Sequence, residues 1–446
     1  MNRPPHVVVV GGGFAGVECL HRLEGLLKPS QARLTLISPE DYQLYLPLLP
    51  HVASGLLTPQ SVAVSLRRRL RRSHYMPGFA IGVDPQKKTV CVRTAEGPEA
   101  HVPYNYLVLA AGSTTRMFNI PGVLEHAFGM KTLAQAAYLR DHVIHQLDRA
   151  AVATDEGERA RRLCFIVVGG GYAGVETAAS LHALTRAAVY RFPRLDPALL
   201  RWHLIDIAPR LLPEIGDRLG RRALDTLRGR GIEISLNTSI SRLTPASAEL
   251  TDGRNLSTHT CVWTAGVAAS PLISTLETNL LHGRLQTNAD MTVPGAEGVF
   301  AVGDAAAIPD LAVGGDAITP PTAQHSQRQG KAVANNVAAS LHGTPLKPYY
   351  HRDLGLVVDL GSGNAVSKPL GIELSGRIAQ WVARGYHTFA LPTVTARTRV
   401  LANWGINTLT GDDFVSTGFQ DGRPATLPSF ERLDLYHAPQ SGPAGP

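Results

Sequence analysis

Two glycine-rich stretches carry the clearest chemistry in this chain. The first, Gly11-Gly12-Gly13-Phe14-Ala15-Gly16, follows the run Val7-Val8-Val9-Val10. The second, Gly169-Gly170-Gly171-Tyr172-Ala173-Gly174, follows Leu163-Cys164-Phe165-Ile166-Val167-Val168. Four β-branched residues in succession read as a parallel strand buried on both faces. Past the first loop, Val17, Leu20, Leu23 and Leu27 recur at helical spacing. GxGxxG between strand and helix is a pyrophosphate cradle: the first glycine permits the turn, the second admits the phosphate, the third lets helix pack on strand. The helix N-terminus adds free N–H groups and a positive dipole end. Two cradles predict two dinucleotides. A flavin and a nicotinamide dinucleotide exchanging a hydride is the economical pair. On that reading Gly11, Gly13, Phe14, Ala15 and Gly16 hold FAD, and Gly169, Gly171, Tyr172, Ala173 and Gly174 hold NADH.

An acid at the end of the second strand of such a unit selects the ribose. In the second unit Trp202-His203-Leu204-Ile205 ends at Asp206, which can accept both ribose hydroxyls and repel a 2′-phosphate; Arg210 nearby softens that preference for NADH. In the first unit Leu34-Thr35-Leu36-Ile37 ends at Ser38, with Glu40 two residues on, and either could hold the FAD ribose. Tyr106 to Ser113 reads as a buried strand ending in Ala111 and Gly112, small enough for close passage of a dinucleotide. In GAEGVFAVGDA, Gly303 gives close approach and Asp304 can bond the ribityl chain. Thr322 is a predicted N-cap for a helix opening at Ala323 and Gln324 and running to about Leu341. Its N-terminus, aimed at a flavin ring, would stabilise negative charge there.

The two cradles, AAG, VFAVGDA and the TAQ-opened helix together resemble the two-dinucleotide-binding-domain flavoproteins, α/β proteins with the nicotinamide domain inserted in the flavin domain. The absence of CxxxxC separates the chain from the branch resembling glutathione reductase. Tyr45-Leu46-Pro47-Leu48-Leu49, Val52-Ala53-Ser54-Gly55, the stretch FPRLDPALLRWHLIDIAPRLLPEI, VWTAG (Val262 to Gly266) and RDLG (Arg352 to Gly355) are similar to the type II NADH dehydrogenases, which are NADH:quinone oxidoreductases. The resemblance spans roughly residues 6–420. It implies two Rossmann-like domains plus a C-terminal membrane-surface region: FAD domain 1–128 and 268–342, NADH domain 129–267, membrane and quinone region 343–436, tail 437–446. It implies hydride transfer from NADH to FAD N5, then two electrons to a membrane quinone without proton pumping. Ala265 and Gly266 would join the NADH site, Ala323 and Gln324 the flavin site.

Glu176 matches a family glutamate near the nicotinamide–flavin contact, although a first-turn glutamate also suits the helix dipole. Glu176 and Gln324 are the catalytic candidates, and Gln324 and Arg328 the quinone contacts. The family usually shows AQxxxQ; here Arg328 stands at the second glutamine, with Gln329 beside it. A different acceptor, or a flavin-bearing redox sensor resembling apoptosis-inducing-factor relatives, stays open.

At about 100° per residue, Leu374, Ile378, Trp381, Val382, Tyr386 and Phe389 share one helical face. Glu373, Arg377, Gln380, Arg384 and His387 fall opposite, and Pro392 ends the helix. Such a helix suits a membrane interface or packing on the protein's own sheet. The net charge of +7 and the basic-aromatic segment Arg397, Arg399, Trp404 favour the membrane surface. No run nears the ~18 apolar residues of a membrane span. The start of the chain, strand then glycine loop, lacks a signal-peptide pattern. The expected location is therefore peripheral, on the cytoplasmic face of the cell membrane, with a homodimer open. The run Arg67 to Arg72 reads as a solvated helix face; without interleaved aromatics it does not suit nucleic acid. Four scattered cysteines exclude a zinc finger or redox dithiol, and no metal is expected.

Removing the Asp206 carboxylate tests the ribose assignment. Asp206→Ala should raise the KM for NADH by about tenfold, the worth of one or two charged hydrogen bonds, and narrow the preference over NADPH. Unchanged kinetics with both nucleotides would remove Asp206 from the site.

Overall fold

The computed structural model describes residues 4–94, 97–116, 118–411 and 413–417. The expected tail at 437–446, and 418–436 of the C-terminal region, lie outside the described residues.

Each glycine loop leaves the central strand of a five-stranded parallel sheet. The first sheet runs Val299–Ala301, Tyr106–Leu109, His6–Val10, Arg33–Ser38, His74–Pro77. The second runs Phe128–Gly129, Thr260–Trp263, Cys164–Val168, Arg201–Ile205, Ile232–Ser235. All strands of the second sheet lie in sequence between Tyr106–Leu109 and Val299–Ala301 of the first. The chain thus departs from one sheet, builds another, and returns. In both, the loop opens beside the point where strand order reverses, at the carboxyl ends, where doubly wound sheets bind ligands. Full burial of the strands explains their unbroken apolar runs: Val7, Val8 and Val9, and Phe165, Ile166 and Val167, are inaccessible to solvent.

Six helices carry the rest of the argument: α1 (Phe14–Leu26), α2 (Leu133–Val152), α3 (Tyr172–Val189), α4 (Ala323–His342), α5 (Gly376–Ala390) and α6 (Val394–Thr410). α1 and α3 open at the two glycine loops. Thr322 caps α4 by accepting the His325 N–H, as its position predicts. α4 crosses α1 so closely that a Cβ at Gly330 would collide with the Ala15 backbone.

The C-terminal part pairs Val357–Asp359, Ala365–Ser367 and Leu374–Ser375 in a small antiparallel sheet. Because Leu374 and Ser375 are held as strand, α5 starts at Gly376. It packs inward through Ala379, Ala383 and His387, one turn apart. The apolar residues point outward instead: Ile378, Trp381 and Phe389 are 67%, 74% and 78% exposed. Small side chains, rather than large ones, make its inner face. His387, placed by periodicity on the solvated face, is buried. Trp404, read as a surface aromatic, is buried too, on α6 beside Ala396 and Val400; the outward residues of α6 are Val394, Leu401, Ile406 and Leu409. Among the described residues no helix is long and apolar enough to cross a membrane.

The arginine run departs from a single solvated helix face. Only Leu66–Arg69 is helical. Arg69 pairs with Glu18 at 3.0 Å, Arg67 covers the Tyr75 ring, and Arg72 donates to the Leu23 and Ala32 carbonyls.

Candidate functional site

The two glycine loops have matching architecture. A Cβ at Gly11 would strike the Ala110 carbonyl, and one at Gly169 the Thr264 hydroxyl. At Gly16 and Gly174 it would meet the carbonyl oxygens of Gly11 and Gly169, the helix–strand contact for which a third glycine is needed. Gly13 and Gly171 have open space where a Cβ would point. The backbone there is bare, as a cradle for a pyrophosphate requires. In each loop the middle glycine packs on the residue ending the second strand: Gly12 on Ser38, Gly170 on Asp206.

Asp206 accepts from the Gly170 N–H and, at 2.6 Å, from the Ala208 N–H, so its carboxylate is fixed at the lip of the second loop. Arg210 is engaged by Asp217 rather than turned to Asp206. In the first loop Ser38 is buried and donates to the Glu40 carbonyl at 3.1 Å. Ser38 thus lies against Gly12, while Glu40 is partly buried.

Asp304 sits where Val299–Ala301 runs out of the first sheet. Its carboxylate accepts from Ser113 at 2.6 Å, Ser113 accepts from Lys131 at 2.7 Å, and Arg284 donates to the Asp304 carbonyl. Gln329 accepts the Gly303 N–H at 2.8 Å and donates to Thr319 at 3.0 Å. That glutamine, noticed in the sequence as a neighbour of Arg328, holds the Gly303-Asp304 turn in place. Ser113 and Lys131 have no motif of their own; Ser113 directly follows Ala111-Gly112. Gly112 has open space where a Cβ would point, and Gly266 lies against Arg116 and Phe118. Ala265 accepts the Trp263 indole N–H through its carbonyl.

Gln324, at the start of α4, is buried and committed. Its amide donates to Asp353, and its oxygen takes the Leu354 N–H at 2.9 Å and faces His351 at 3.3 Å. It ties α4 to the RDLG segment. Arg328, one turn on, is partly buried and donates to the Gln324 carbonyl at 3.1 Å.

Glu176 is buried in the second turn of α3 and accepts the Asp359 N–H at 2.9 Å. Burial pushes its carboxyl up to about 8, against the pull of that N–H and with the Asp359 charge adding to the rise. Burial also pushes Asp359 up, yet the His51 imidazole 3.3 Å away, the Gly361 N–H and the Arg384 charge together bring it below the ordinary carboxylate range. His387 faces the Tyr45 hydroxyl at 3.1 Å, and burial, with His51 nearby, lowers it to about 4. Tyr45 in turn packs edge-on against Phe14 of the first loop, ring centres 5.7 Å apart. One polar cluster therefore reaches from Phe14 to Glu176, drawing on five separate segments. No sequence spacing announces it.

The cysteines take no part. All four are unpaired, three are buried, and burial pushes the Cys164 and Cys261 thiols up to about 12. Among the described residues no metal-binding cluster forms.

Glu176 carries a pH signature. Its folded pKa lies above the unfolded value, so the stability it lends is complete below 4.5 and is lost as pH climbs through about 8. Glu176→Gln should therefore flatten the fall of Tm across that interval. A Tm–pH profile parallel to the unsubstituted protein would contradict the buried, protonated glutamate.

Comparison with known proteins agrees with this geometry. Residues 5–330 match the pyridine nucleotide-disulphide oxidoreductase family. The chain is 30% identical over 426 residues to the type II NADH:quinone oxidoreductase Ndh of Mycobacterium tuberculosis, covering 91% of this chain and 89% of that one. The Haemophilus influenzae type II NADH:quinone oxidoreductase is 29% identical over 392 residues, 81% and 86% of the two chains. Among solved structures, NDH2 from Plasmodium falciparum in complex with RYL-552 superposes with a TM-score of 0.86 at 19% identity, covering 93% of this chain and all of that one (100%). The sulfide:quinone oxidoreductase of Aquifex aeolicus shares the fold at a TM-score of 0.67 and 19% identity, covering 92% and 96%. By sequence and fold, the chain belongs to the type II NADH:quinone oxidoreductases of the pyridine nucleotide-disulphide oxidoreductase family.

Proposed function

We propose that this chain oxidises NADH and reduces a membrane quinone, with FAD held between them. The observation that carries the reading is the pair of bare glycine loops, each at the switch point of its own parallel sheet, in a member of this family. FAD, when bound, supplies the relay of two electrons from nicotinamide to quinone.

The first loop (Gly11, Gly13, Phe14, Ala15, Gly16) with Ser38 or Glu40, Ala111, Gly112, Gly303, Asp304 and Ala323 would hold FAD. The fit is physical: the backbone is bare at Gly13 and Gly112, and the α1 N-terminus has no side-chain cap competing for its N–H groups. The second loop (Gly169, Gly171, Tyr172, Ala173, Gly174) with Asp206, Ala265 and Gly266 would hold NADH, Asp206 taking the ribose hydroxyls. The FAD unit is then 1–128 with 268–342, and the NADH unit 129–267.

Reducing a quinone with NADH consumes one proton beyond the hydride. Glu176 is the group suited to hold it: with its carboxyl pushed up to about 8, it is protonated at neutral pH. Gln324, bound on three sides, positions the 351–354 segment and brings Arg328 to the acceptor side.

The C-terminal helices suit a peripheral seat on the cytoplasmic face of the membrane. α5 and α6 turn their large apolar residues outward, and residues 376–410 contain Arg377, Arg384, Arg397 and Arg399 but no acid. An apolar face on helices that also expose Arg377 and Arg399 suits an anionic lipid surface.

In anaerobic solution, NADH should bleach the oxidised-flavin band and a soluble quinone should restore it within one turnover. Bleaching without recovery would reject quinone as the acceptor and point to a redox sensor. Separately, Trp381→Glu with Phe389→Glu should abolish most co-sedimentation with anionic phospholipid vesicles. Equal sedimentation of both proteins would reject this face as the membrane seat.

A further inference from the structure

Arg328 is an unusual cation. It is partly buried in the second turn of α4. Among the described residues it makes one hydrogen bond, to the carbonyl of Gln324 on its own helix, and no ion pair. A guanidinium has five N–H donors, so most of its capacity is unspent.

Asp353 and Asp310, whose charges reach the same neighbours, do not pair with it: Asp353 accepts from the Gln324 amide, and Asp310 accepts from the Ala312 and Val313 N–H groups at 3.0 and 3.3 Å. The imidazoles beside it do not compete as cations: burial, with the Arg328 charge next in weight, brings His351 down to about 4, and His325 is lowered too. The same charge reaches Tyr349 and the half-exposed Tyr386 of α5. Gln324, meanwhile, has committed its oxygen to Leu354 and His351 and one amide hydrogen to Asp353. Among the described residues at this end of α4, most of the uncommitted donors belong to Arg328, beside one remaining amide hydrogen of Gln324.

Holding a guanidinium in a partly dry place with no carboxylate in direct contact costs free energy, and that cost is offset when a ligand brings negative charge onto its free donors. We propose that Arg328 makes the acceptor pocket selective for quinones that carry an anionic oxygen on the ring. This deepens the quinone reading above and depends on it. A 2-hydroxy-1,4-quinone is the chemical class that fits: its hydroxyl is a vinylogous carboxylic acid, ionised at neutral pH, and its delocalised oxygens match the planar donor fork. The neutral 2-alkyl-1,4-quinone of the same size offers only weaker carbonyl acceptors.

The test compares 2-hydroxy-1,4-naphthoquinone with 2-methyl-1,4-naphthoquinone. Each is titrated into the oxidised FAD-loaded protein at neutral pH, and binding is read from the perturbation of the flavin absorbance. The unsubstituted protein should bind the hydroxyquinone at least about tenfold more tightly, the size of one charge-assisted hydrogen bond. Arg328→Gln should bring the ratio of dissociation constants near one, and Arg328→Lys, which keeps the charge, should retain part of it. Equal binding of the two quinones by the unsubstituted protein, or a ratio unchanged in Arg328→Gln, overturns the inference. Failure of both quinones to reoxidise the NADH-reduced protein overturns the quinone reading itself, and this inference with it. Reoxidation by both, with equal affinities, overturns this inference alone.

Discussion

Backbone meets backbone, with no side chain between, at both glycine loops and at the helix crossing beside the first. Gly16 and Gly174 lie on the carbonyl oxygens of Gly11 and Gly169, and Gly330 lies on the Ala15 backbone. A single methyl group at any of these points would push a helix off its strand or off its neighbour. Because α1 and α4 cross at Ala15 and Gly330, the first glycine loop, the Gly303-Asp304 turn and the start of α4 occupy one small region. Gln329 then locks that turn by accepting the Gly303 N–H. The glycines thus do two jobs: Gly13 and Gly171 leave the backbone bare, and Gly16, Gly174 and Gly330 set the distance between the elements around them.

A second constraint acts in the C-terminal part, where the usual arrangement of an amphipathic helix is reversed. α5 meets the protein through Ala379, Ala383 and His387 and turns Trp381 and Phe389 outward. Its inner face is small enough to bring the polar pair His387–Tyr45 into the core, next to the His51–Asp359 pair and Glu176. Buried polar groups are tolerable when hydrogen-bonded, and in this cluster the pairs serve one another. The large side chains Ile378, Trp381 and Phe389 are left outside. α5 therefore carries an exposed apolar outer face and, on its inner side, the polar cluster around His387 and Tyr45.

Much of this was legible from the sequence. The cradles, their strands and helices, the Thr322 cap and the Asp206 position all follow from local rules: glycine where no Cβ fits, β-branched runs where a strand is buried on both faces, a hydroxyl before a helix. Long-range polar contacts were not. Asp359, His51 and Lys131 enter the site through chain reversals that no spacing encodes. The C-terminal helix was half read. Its periodicity gave Ile378, Trp381, Tyr386 and Phe389 as one apolar face, but Leu374 belongs to a strand and His387 to the buried side, because periodicity marks a face without saying what covers it. The small residues Ala379 and Ala383 identify the inner face only once the neighbouring sheet is seen.

The central claim is that the two cradles take two different dinucleotides. The most direct measurement is the cofactor content of the purified chain, by acid extraction and chromatographic quantification, followed by anaerobic titration of the same sample with NADH. The account predicts one FAD per chain, no nicotinamide dinucleotide retained at the first loop, and full bleaching at one NADH per flavin. Two flavins per chain, no flavin at all, or a flavin that NADH leaves oxidised would contradict it.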